Sequence, residues 1–351
     1  MTSELEVDGC PVDRNGPVLV VAEIGVNHDG SLDRALQLVR AAQQSGADAV
    51  KLQIFSADRL LHRSSVFARY QKTLLHDATP AAMLRRFELS EEDVRTVVEE
   101  IRRCGLIPLA TPFSTEDVDE IEALDLPAIK IASPDIVNWP LLRRAAATGL
   151  PLLVSTGAAN INEISSSVAW LRGWECPFAL LHCISSYPTP TDEAHLCWIE
   201  ELQRRFNVVA GYSDHTTEIM SGAFAVAAGA CVIEKHLTYD RKAQGPDHAA
   251  SCDPKEFAEY VQFLRLAERM RGLPGKHVLQ IEQDVRTVSR QSVVAVRDLP
   301  LGHLIEETDL TVQRPGTGIP ASALPSLIGC KVGKAIQSGQ LLTWQAINDA
   351  A

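Results

Sequence analysis

The chain has 351 residues, of which 46% are hydrophobic and 22% charged, with 33 Lys and Arg against 45 Asp and Glu. This composition excludes a disordered chain and a small disulfide-stabilised scaffold, because a chain of this length can bury roughly 75% of its unfolded surface. The formal net charge of −12 argues against a general nucleic-acid binder, which needs a basic excess to displace phosphate counterions. A small anionic substrate remains compatible, since it needs only a few local cations.

The cysteines and the first residues indicate the compartment. None of the eight cysteines forms a CxxC pair, which argues against a zinc ribbon. The opening segment MTSELEVDGC is acidic and lacks the apolar stretch of a signal peptide. No apolar run approaches the ~20 residues that a membrane span requires. We therefore expect a soluble protein of a reducing compartment, the cytoplasm, that binds neither nucleic acid nor a membrane.

Short apolar runs recur along the chain, and each is followed by an amphipathic stretch. The runs predict eight buried parallel strands, at residues 18–25, 47–55, 106–113, 128–133, 150–157, 178–186, 207–214 and 230–237. Helix candidates between them open on capping residues such as Ser90 and Ser114. This α/β alternation fits a (β/α)8 TIM barrel in size and count. A doubly wound sheet is the alternative, but the chain has no GxGxxG turn.

One connection of the predicted barrel is long, from residue 56 to residue 89. Long loops in compact domains tend to be lids or binding loops. A solvated basic insertion explains the composition equally well. The polar residues concerned are His62, Arg63, Arg69, Tyr70, Gln71 and Lys72.

The sequence pattern changes near residue 272. We predict a barrel domain over 1–278, a charged linker over 279–289 and a second domain over 290–351. The second domain has short strands and turns but no long helix, which is typical of a small, mostly β domain. With about 60 residues it would be marginal in isolation.

Polar side chains stand at the C-terminal ends of the predicted strands, where a barrel of this type builds its active site. Taken singly, each of them could be a satisfied polar group in a packed barrel. Burying the charged ones without partners would cost several kcal/mol each, and a pocket that holds a charged ligand removes that difficulty. The set comprises Glu23, Asn27, His28, Lys51, Gln53, Thr111, Lys130, Ser133, Asp135, Ser155, Thr156, His182, Ser185, Tyr187, Ser213, Asp214, His215, Glu234, Lys235 and His236.

Two lysines of this set, Lys51 and Lys130, lie on predicted inward-facing strands. Lysines beside small hydroxyls and backbone N–H groups suit a phosphate or a carboxylate. A Schiff base with a carbonyl substrate is the alternative role for such a lysine. The abundance of hydroxyl donors favours anion binding, and these donors are Thr111, Ser133, Ser155, Ser185 and Ser213.

Two histidines, His215 and His236, end adjacent predicted strands. A lone histidine is more often structural, but a pair of neutral imidazoles can share a divalent ion and leave positions open for water and substrate oxygens. The GPDH segment follows the last strand and could turn Asp247 inward, although a simple turn is the alternative.

Short segments with defined polar residues follow one another across nearly the whole chain. They are AEIGVNHDG (22–30), KLQ (51–53), ATPFS (110–114), KIAS (130–133), STGAA (155–159), HCISSYPTP (182–190), GYSDHT (211–216), EKHLT (234–238), GPDH (245–248) and RPGTGI (314–319). In this order they resemble the sialic acid synthase family. The resemblance implies a phosphoenolpyruvate-dependent synthase whose TIM barrel is followed by an antifreeze-like (SAF) domain.

The resemblance also implies a reaction. Phosphoenolpyruvate would condense with the open-chain aldehyde of an N-acetylated amino sugar, and N-acetylmannosamine would give N-acetylneuraminate and phosphate. The enol C3 attacks an aldehyde carbon that a divalent metal (Mn2+, Mg2+ or Co2+) polarises. Water then adds at C2, and the tetrahedral intermediate loses phosphate through C–O cleavage.

The family's functional residues map onto this chain by motif. Phosphoenolpyruvate would be held by Lys51, Thr111, Lys130, Ser133, Ser155 and Ser213. His215 and His236 would bind the metal. The sugar would contact Gln53, Ser185, Tyr187 and Asp247. Arg314 would reach the active site of a neighbouring subunit, which requires a domain-swapped homodimer. The catalytic set would be Glu23, Asp135, His215 and His236.

Two departures from the family pattern bear on the function. The family commonly has Glu where this chain has Asp135, a side chain proposed to move a proton or activate water. Ser185 stands where some members have Asn, and Ser also occurs in legionaminate-type relatives. A synthase of legionaminate or pseudaminate is therefore the alternative, and ice binding by the second domain is a non-catalytic one.

Overall fold

The computed structural model describes residues 5–62 and 79–348. The chain divides into two compact units, Met1–Leu273 and Pro274–Ala351. Most of the predicted basic insertion lies outside the described residues, namely Arg63, Arg69, Tyr70, Gln71 and Lys72.

Within the described residues of the first unit, eight parallel strands close into a barrel, as predicted. An antiparallel hairpin of β1 (Leu5–Val7) and β2 (Cys10–Val12) precedes them. The closure pairs the first barrel strand with the last. The barrel strands are β3 (Leu19–Glu23), β4 (Ala49–Ile54), β5 (Ile107–Pro112), β6 (Ile129–Ile131), β7 (Leu152–Ser155), β8 (Phe178–His182), β9 (Val209–Asp214) and β10 (Val232–His236).

Helices alternate with the strands, as in a TIM barrel. Ser90 and Ser114 cap two of them, each side chain accepting the N–H of the residue three positions on. None of the helices in the described residues is long and apolar enough to cross a bilayer. The helices are α1 (Leu32–Gln44), α2 (Ala57–Leu60), α3 (Pro80–Arg85), α4 (Glu91–Arg103), α5 (Thr115–Ala123), α6 (Trp139–Ala146), α7 (Ile161–Gly173), α8 (Cys197–Phe206), α9 (Ser221–Ala227) and α10 (Pro254–Arg271).

Strand alternation separates two apolar layers. On β4, Val50 and Leu52 belong to the large cluster between the strands and the helices. Residues of opposite parity face the barrel interior, where Leu19 and Val232, near the strand starts, share a smaller cluster with the N-terminal hairpin. The interior is therefore apolar where the strands begin, and its polar residues gather where they end.

The second unit has its own apolar core, which includes Val293, Leu299 and Ile319. The segment 279–289, predicted as a linker, contains a 3-10 turn and a short helix. The elements are α11 (Gln283–Ser289), β11 (Ser292–Ala295), β12 (Leu310–Gln313), α12 (Leu324–Leu327), β13 (Lys331–Val332) and β14 (Ile347–Asn348). β11 pairs with β12 and β13 with β14, both antiparallel.

Candidate active site

A cavity of about 420 Å³ opens at the end of the barrel where the strands stop. Most of the predicted site residues line it: Lys51, Gln53, Thr111, Lys130, Ser133, Ser155, Ser185, Tyr187, Ser213, His215, His236 and Asp247. Glu23 lies beneath the cavity, fully buried and hydrogen-bonded to Gln53 at 2.9 Å. The structure thus brings Lys51 and Asp247, which are 196 residues apart in the sequence, into one cavity.

Lys51 is the centre of the first charged group in the cavity. Its Nζ donates to Thr111 Oγ1 at 2.9 Å and forms an ion pair with Glu23 Oε2 at 2.8 Å. Glu234 Oε1 lies 3.6 Å away. Burial disfavours the ammonium, but the two carboxylates outweigh burial and raise the pKa of Lys51. Lys51 is therefore a firmly charged cation.

Lys130 is the second cation, in a different environment. Its Nζ donates to Ser155 Oγ at 2.6 Å and to the Ile131 carbonyl at 2.9 Å. Its carboxylate neighbour Glu234 is more distant, at 3.9 Å. Burial lowers the pKa of Lys130, and the attraction of Glu234 offsets this only in part. An anionic ligand beside Lys130 would stabilise the charged form of its ammonium group.

Glu234 lies between the two lysines and was not in the predicted ligand set. Its Oε1 accepts from Ser213 Oγ at 2.9 Å, while its buried Oε2 has no hydrogen-bond partner among the described residues. Burial would raise its pKa, but Lys130 and Lys51 outweigh burial and hold that pKa below the ordinary value. For Glu23 burial prevails over Lys51 and raises the pKa. Glu234 is thus the more firmly ionised carboxylate.

The imidazoles of His215 and His236 lie side by side, with ring centroids 5.5 Å apart. His215 Nδ1–H donates to the Ile184 carbonyl at 2.8 Å, which leaves the lone pair on Nε2. Burial lowers the pKa of His215 to about 4 and that of His236 well below its ordinary value. Both rings are neutral, the form that ligates metals.

Two features of the histidine pair are compatible with a metal ion. His236 Nδ1 is buried without a hydrogen-bond partner among the described residues, which is costly unless a ligand completes it. His215 donates its other ring N–H to a backbone carbonyl, that of Ile184, as metal-bound histidines commonly do. In the described ranges no group of three or more His, Cys, Asp or Glu forms a metal cluster.

Asp247 and Tyr187 flank the histidine pair. Asp247 Oδ2 lies 3.6 Å from His236 Nδ1. Burial, with a smaller effect of Glu23, raises the pKa of Asp247 to about 7. The Tyr187 ring lies over His215 at a centroid distance of 4.1 Å. This corner combines an aromatic surface with a carboxyl group that titrates near neutrality.

Gly157 shapes the wall of the cavity near Ser133. Its N–H donates to Ser133 Oγ at 3.1 Å. A Cβ at this position would lie 2.5 Å from Ser185 Oγ and 2.6 Å from Cys183 Sγ. Glycine is needed here because a larger residue would push Ser133 and Ser185 out of place.

Some polar strand-end residues do not face the cavity. The expectation that Lys235 shares the pocket is wrong, because it points outward from β10 and pairs with Asp214 at 3.1 Å. Both are fully buried beneath α10, and Tyr260 donates to Asp214 at 2.8 Å. His182 also points outward and stacks on Tyr212. Asn27, His28 and Thr156 are buried and likewise absent from the cavity lining.

Two predicted residues lie apart from the cavity lining. Asp135 lies in the 3-10 turn Ser133–Val137, half-buried, and accepts from Asn138 Nδ2 at 2.8 Å. Burial raises its pKa. Arg314 follows β12 in the second unit and is exposed. The roles predicted for both residues remain predictions.

We expect Asp135→Asn to lower kcat about 100-fold while substrate KM values change little, because the amide cannot carry a proton. Steady-state kinetics measures this directly. Asp192→Asn, on an exposed 3-10 turn, is the matched control and should leave kcat unchanged. An unaltered kcat in Asp135→Asn would transfer the proton-transfer role to another carboxylate.

Comparisons with known proteins identify the family of the chain. The NeuB family model matches residues 38–276 and the SAF domain model matches residues 290–348. N,N'-diacetyllegionaminic acid synthase of Legionella pneumophila is 38% identical over 93% of this chain and 94% of its own length. Human N-acetylneuraminate-9-phosphate synthase is 32% identical over 93% of both chains.

Solved structures show the same architecture. The N-acetylneuraminic acid synthetase of Leptospira borgpetersenii, crystallised with citrate, superposes with a TM-score of 0.74 at 31% identity, covering 81% of this chain and 95% of that one. A truncated 3-deoxy-D-arabino-heptulosonate 7-phosphate synthase of Thermotoga maritima, at 14% identity and a TM-score of 0.60 over 78% of this chain and 94% of its own, shares the fold. The resemblance to sialic acid synthases is therefore confirmed, and the chain belongs to the NeuB family with a SAF domain at its C-terminal end.

Proposed function

We propose that this protein condenses phosphoenolpyruvate with the open-chain aldehyde of an N-acetylated amino sugar and water, releasing phosphate. N-acetylmannosamine is the first candidate sugar and N-acetylneuraminate the product. The observation that carries the proposal is the placement of two buried lysines and two neutral histidines in one cavity. The lysines suit the phosphate and carboxylate of the first substrate, and the histidines suit the carbonyl end of the second.

Lys51 and Lys130 would bind phosphoenolpyruvate electrostatically. Each ammonium already has a hydroxyl partner, Thr111 or Ser155, which can turn to an anionic oxygen. Glu23 and Glu234 hold Lys51 in place before the substrate arrives, and Ser155 and the Ile131 carbonyl hold Lys130. The lysines are thus preorganised, so that little reorientation is needed on binding.

His215 and His236 would hold a divalent cation, with positions left for water and substrate oxygens. The bound cation would act as a Lewis acid on the aldehyde carbonyl. Ile184 fixes the tautomer and direction of the His215 ring. Asp247, whose pKa is raised to about 7, can accept or return a proton at a sugar hydroxyl in the neutral range.

A legionaminate-type synthase is the second candidate. The outer wall of the cavity is apolar and includes Phe55, Leu60, Met83 and Phe113. Such a wall suits the methyl groups of a deoxy, doubly acetamido sugar better than a run of hydroxyls. The relatives include two N,N'-diacetyllegionaminic acid synthases, at 38% and 36% identity, and a pseudaminic acid synthase at 32%.

A phosphate-release assay tests the proposed function. The purified full chain is incubated with phosphoenolpyruvate and each of N-acetylmannosamine, its 6-phosphate, and 2,4-diacetamido-2,4,6-trideoxyhexoses. We expect release only when both substrates are present, with one sugar far better than the rest. The product's mass identifies the nonulosonate. Absence of release with every sugar would overturn the proposal.

We expect metal removal to abolish turnover. Dialysis against EDTA should reduce kcat to background, and Mn2+, Co2+ or Mg2+ should restore it. Elemental analysis should find about one bound ion per chain in the wild type. The His215→Ala variant should bind much less, because a site with two protein ligands loses most of its affinity when one is removed. Full activity of a preparation shown to be metal-free would contradict this prediction.

We also propose that the active form is a domain-swapped homodimer. A stripe of exposed apolar residues precedes and continues on α11, with Ile281 82%, Val285 57% and Val288 60% exposed. Exposed apolar stripes of this kind are typical of interfaces. Arg314, on the same small unit, would then complete the sugar site of the second copy with a bidentate guanidinium.

The dimer proposal predicts complementation. Arg314→Ala and His215→Ala subunits, each inactive or weak alone, are mixed under conditions that exchange subunits. Mixed dimers should regain one working site, built from an intact barrel and the other chain's arginine. Native mass spectrometry confirms that heterodimers form. If heterodimers form without recovery of activity, Arg314 does not act across the interface.

A further inference from the structure

We infer that His248 is a positioning residue that holds Asp247 in the cavity by fastening two loops together. The first is the β10–α10 loop, residues 237–253, which carries Asp247. The second is the β3–α1 loop, residues 24–31. The inference rests on the proposed function, because it takes Asp247 to act at the sugar end of the cavity.

The His248 ring is fully buried and both of its nitrogens have partners. Nδ1 lies 2.7 Å from Thr238 Oγ1, and Nε2 lies 3.1 Å from Asp29 Oδ1. Nε2–H donates to the Asp29 carboxylate, which can only accept, and Nδ1 shares a hydrogen bond with the Thr238 hydroxyl. Thr238 Oγ1 in turn accepts the N–H of Asp240 at 3.1 Å. One ring therefore spans both loops.

Asp29 is a fixed anchor for this ring. It also accepts from Arg34 at 2.6 Å and from the Tyr239 hydroxyl at 2.7 Å. Burial opposes its charge, but hydrogen bonds from His248 and Tyr239 outweigh burial and lower the pKa of Asp29. Arg34 lies on α1, so the anchor is tied to a helix of the barrel.

Asp247 is also held through its backbone carbonyl, by a second hydrogen-bonded connection to the β3–α1 loop. Ser251 Oγ donates to the Asp247 carbonyl at 2.7 Å, and Asn27 Nδ2 donates to Ser251 Oγ at 2.8 Å. Asn27 Nδ2 also lies 2.9 Å from the Leu237 carbonyl. Both ties lead to the β3–α1 loop, which follows the strand that pairs with β10. Asp247 is therefore held close to the place where β3 and β10 pair and close the barrel.

Gly245 makes room for the ring. A Cβ on this residue would lie 2.5 Å from His248 Cδ2 and 2.8 Å from Nε2. Only a glycine lets the loop pass this close to the imidazole. The path of the chain to Asp247 is thus fitted to the histidine ring, and filling the site with another side chain would alter that path.

A double-mutant cycle tests whether His248 acts through Asp247. His248→Ala should lower kcat/KM for the sugar about 100-fold, the loss expected for a misplaced catalytic group, while the calorimetric Kd for phosphoenolpyruvate stays unchanged. His248→Gln keeps a donor near Nε2 and should recover part of the loss. The double variant His248→Ala/Asp247→Ala should be no worse than Asp247→Ala. Additive losses would overturn the inference.

His182→Ala is the matched control for lost stability. His182 is also buried and donates from Nε2 to the Ala194 carbonyl at 2.8 Å, but it faces away from the cavity. This variant should lower Tm yet keep kcat/KM for the sugar. An equal loss in both histidine variants would mean that His248 acts only on stability.

Hydrogen exchange gives a result that does not depend on turnover. His248→Ala should speed amide exchange in residues 237–253 and leave strand β7 unchanged. If the wild-type protein shows no synthase activity, the proposed function fails, while this measurement still decides whether the ring ties the loops. Unchanged exchange in the loop would overturn the tie itself.

Discussion

Lys130→Met is expected to weaken phosphoenolpyruvate binding by about 2–5 kcal/mol, the cost of truncating one partner of a buried charge pair. This corresponds to a loss of at least about 30-fold in affinity. The reason is that Lys130 is buried, with Ser155 and a backbone carbonyl as its close partners and Glu234 at 3.9 Å. Calorimetry with phosphoenolpyruvate alone measures the effect without the sugar.

The pH dependence of phosphoenolpyruvate binding gives a second test of the role of Lys130. Its pKa is lowered by burial, whereas that of Lys51 is raised. As pH rises, Lys130 therefore loses its proton first, and affinity should fall at a lower pH than an ordinary lysine would give. Lys242→Met, on an exposed loop, should change nothing. Trapping of a substrate adduct on Lys130 with borohydride would instead support Schiff-base chemistry.

Lys235→Met is expected to destabilise the fold by about 3–5 kcal/mol, because it leaves the carboxylate of Asp214 buried without its counter-charge. Both members of this pair are fully buried and 3.1 Å apart. Since neither lines the cavity, the KM values of the folded enzyme should not change. Urea unfolding at neutral pH measures the loss.

The double variant Lys235→Met/Asp214→Asn separates charge from packing. Replacing the unpaired carboxylate of Asp214 by an amide should recover a large part of the lost stability, because the amide can still form hydrogen bonds but carries no charge. Asp214 also accepts hydrogen bonds from Ser221, Thr216 and Tyr260. If Lys235→Met is as stable as the wild type, these three hydrogen bonds are enough to stabilise the buried carboxylate without the lysine.

The barrel and most of the cavity could be predicted from the sequence because apolar runs and capped helices are local signals. The error over Lys235 came from treating strand-end residues as one set. In the segment EKH, alternation places Glu234 and His236 on one face and Lys235 on the other. The same rule applied to SDH would have kept His215 and excluded Asp214.

Other features had weaker or no local signals. The N-terminal hairpin could have been found, since Asp8 and Gly9 form the Asp-Gly turn that favours hairpins, with φ of 53° and 73°. The direction of Asp135 was beyond prediction because it follows from a 3-10 turn after β6. The contact of His248 with Asp29 joins residues 219 apart, and only the closed barrel brings them together.

The hairpin at the start of the chain has a consequence for synthesis on the ribosome. Leu5, Val7 and Val12 share their apolar cluster with residues as distant as Val232. The barrel cannot close around them until β10 has been made and pairs with β3. At about 5–20 residues per second, roughly 11–45 s pass between the synthesis of the hairpin and that of β10. The hairpin is therefore made well before β10 but is buried only after it, and its apolar residues stay open to aggregation in the meantime.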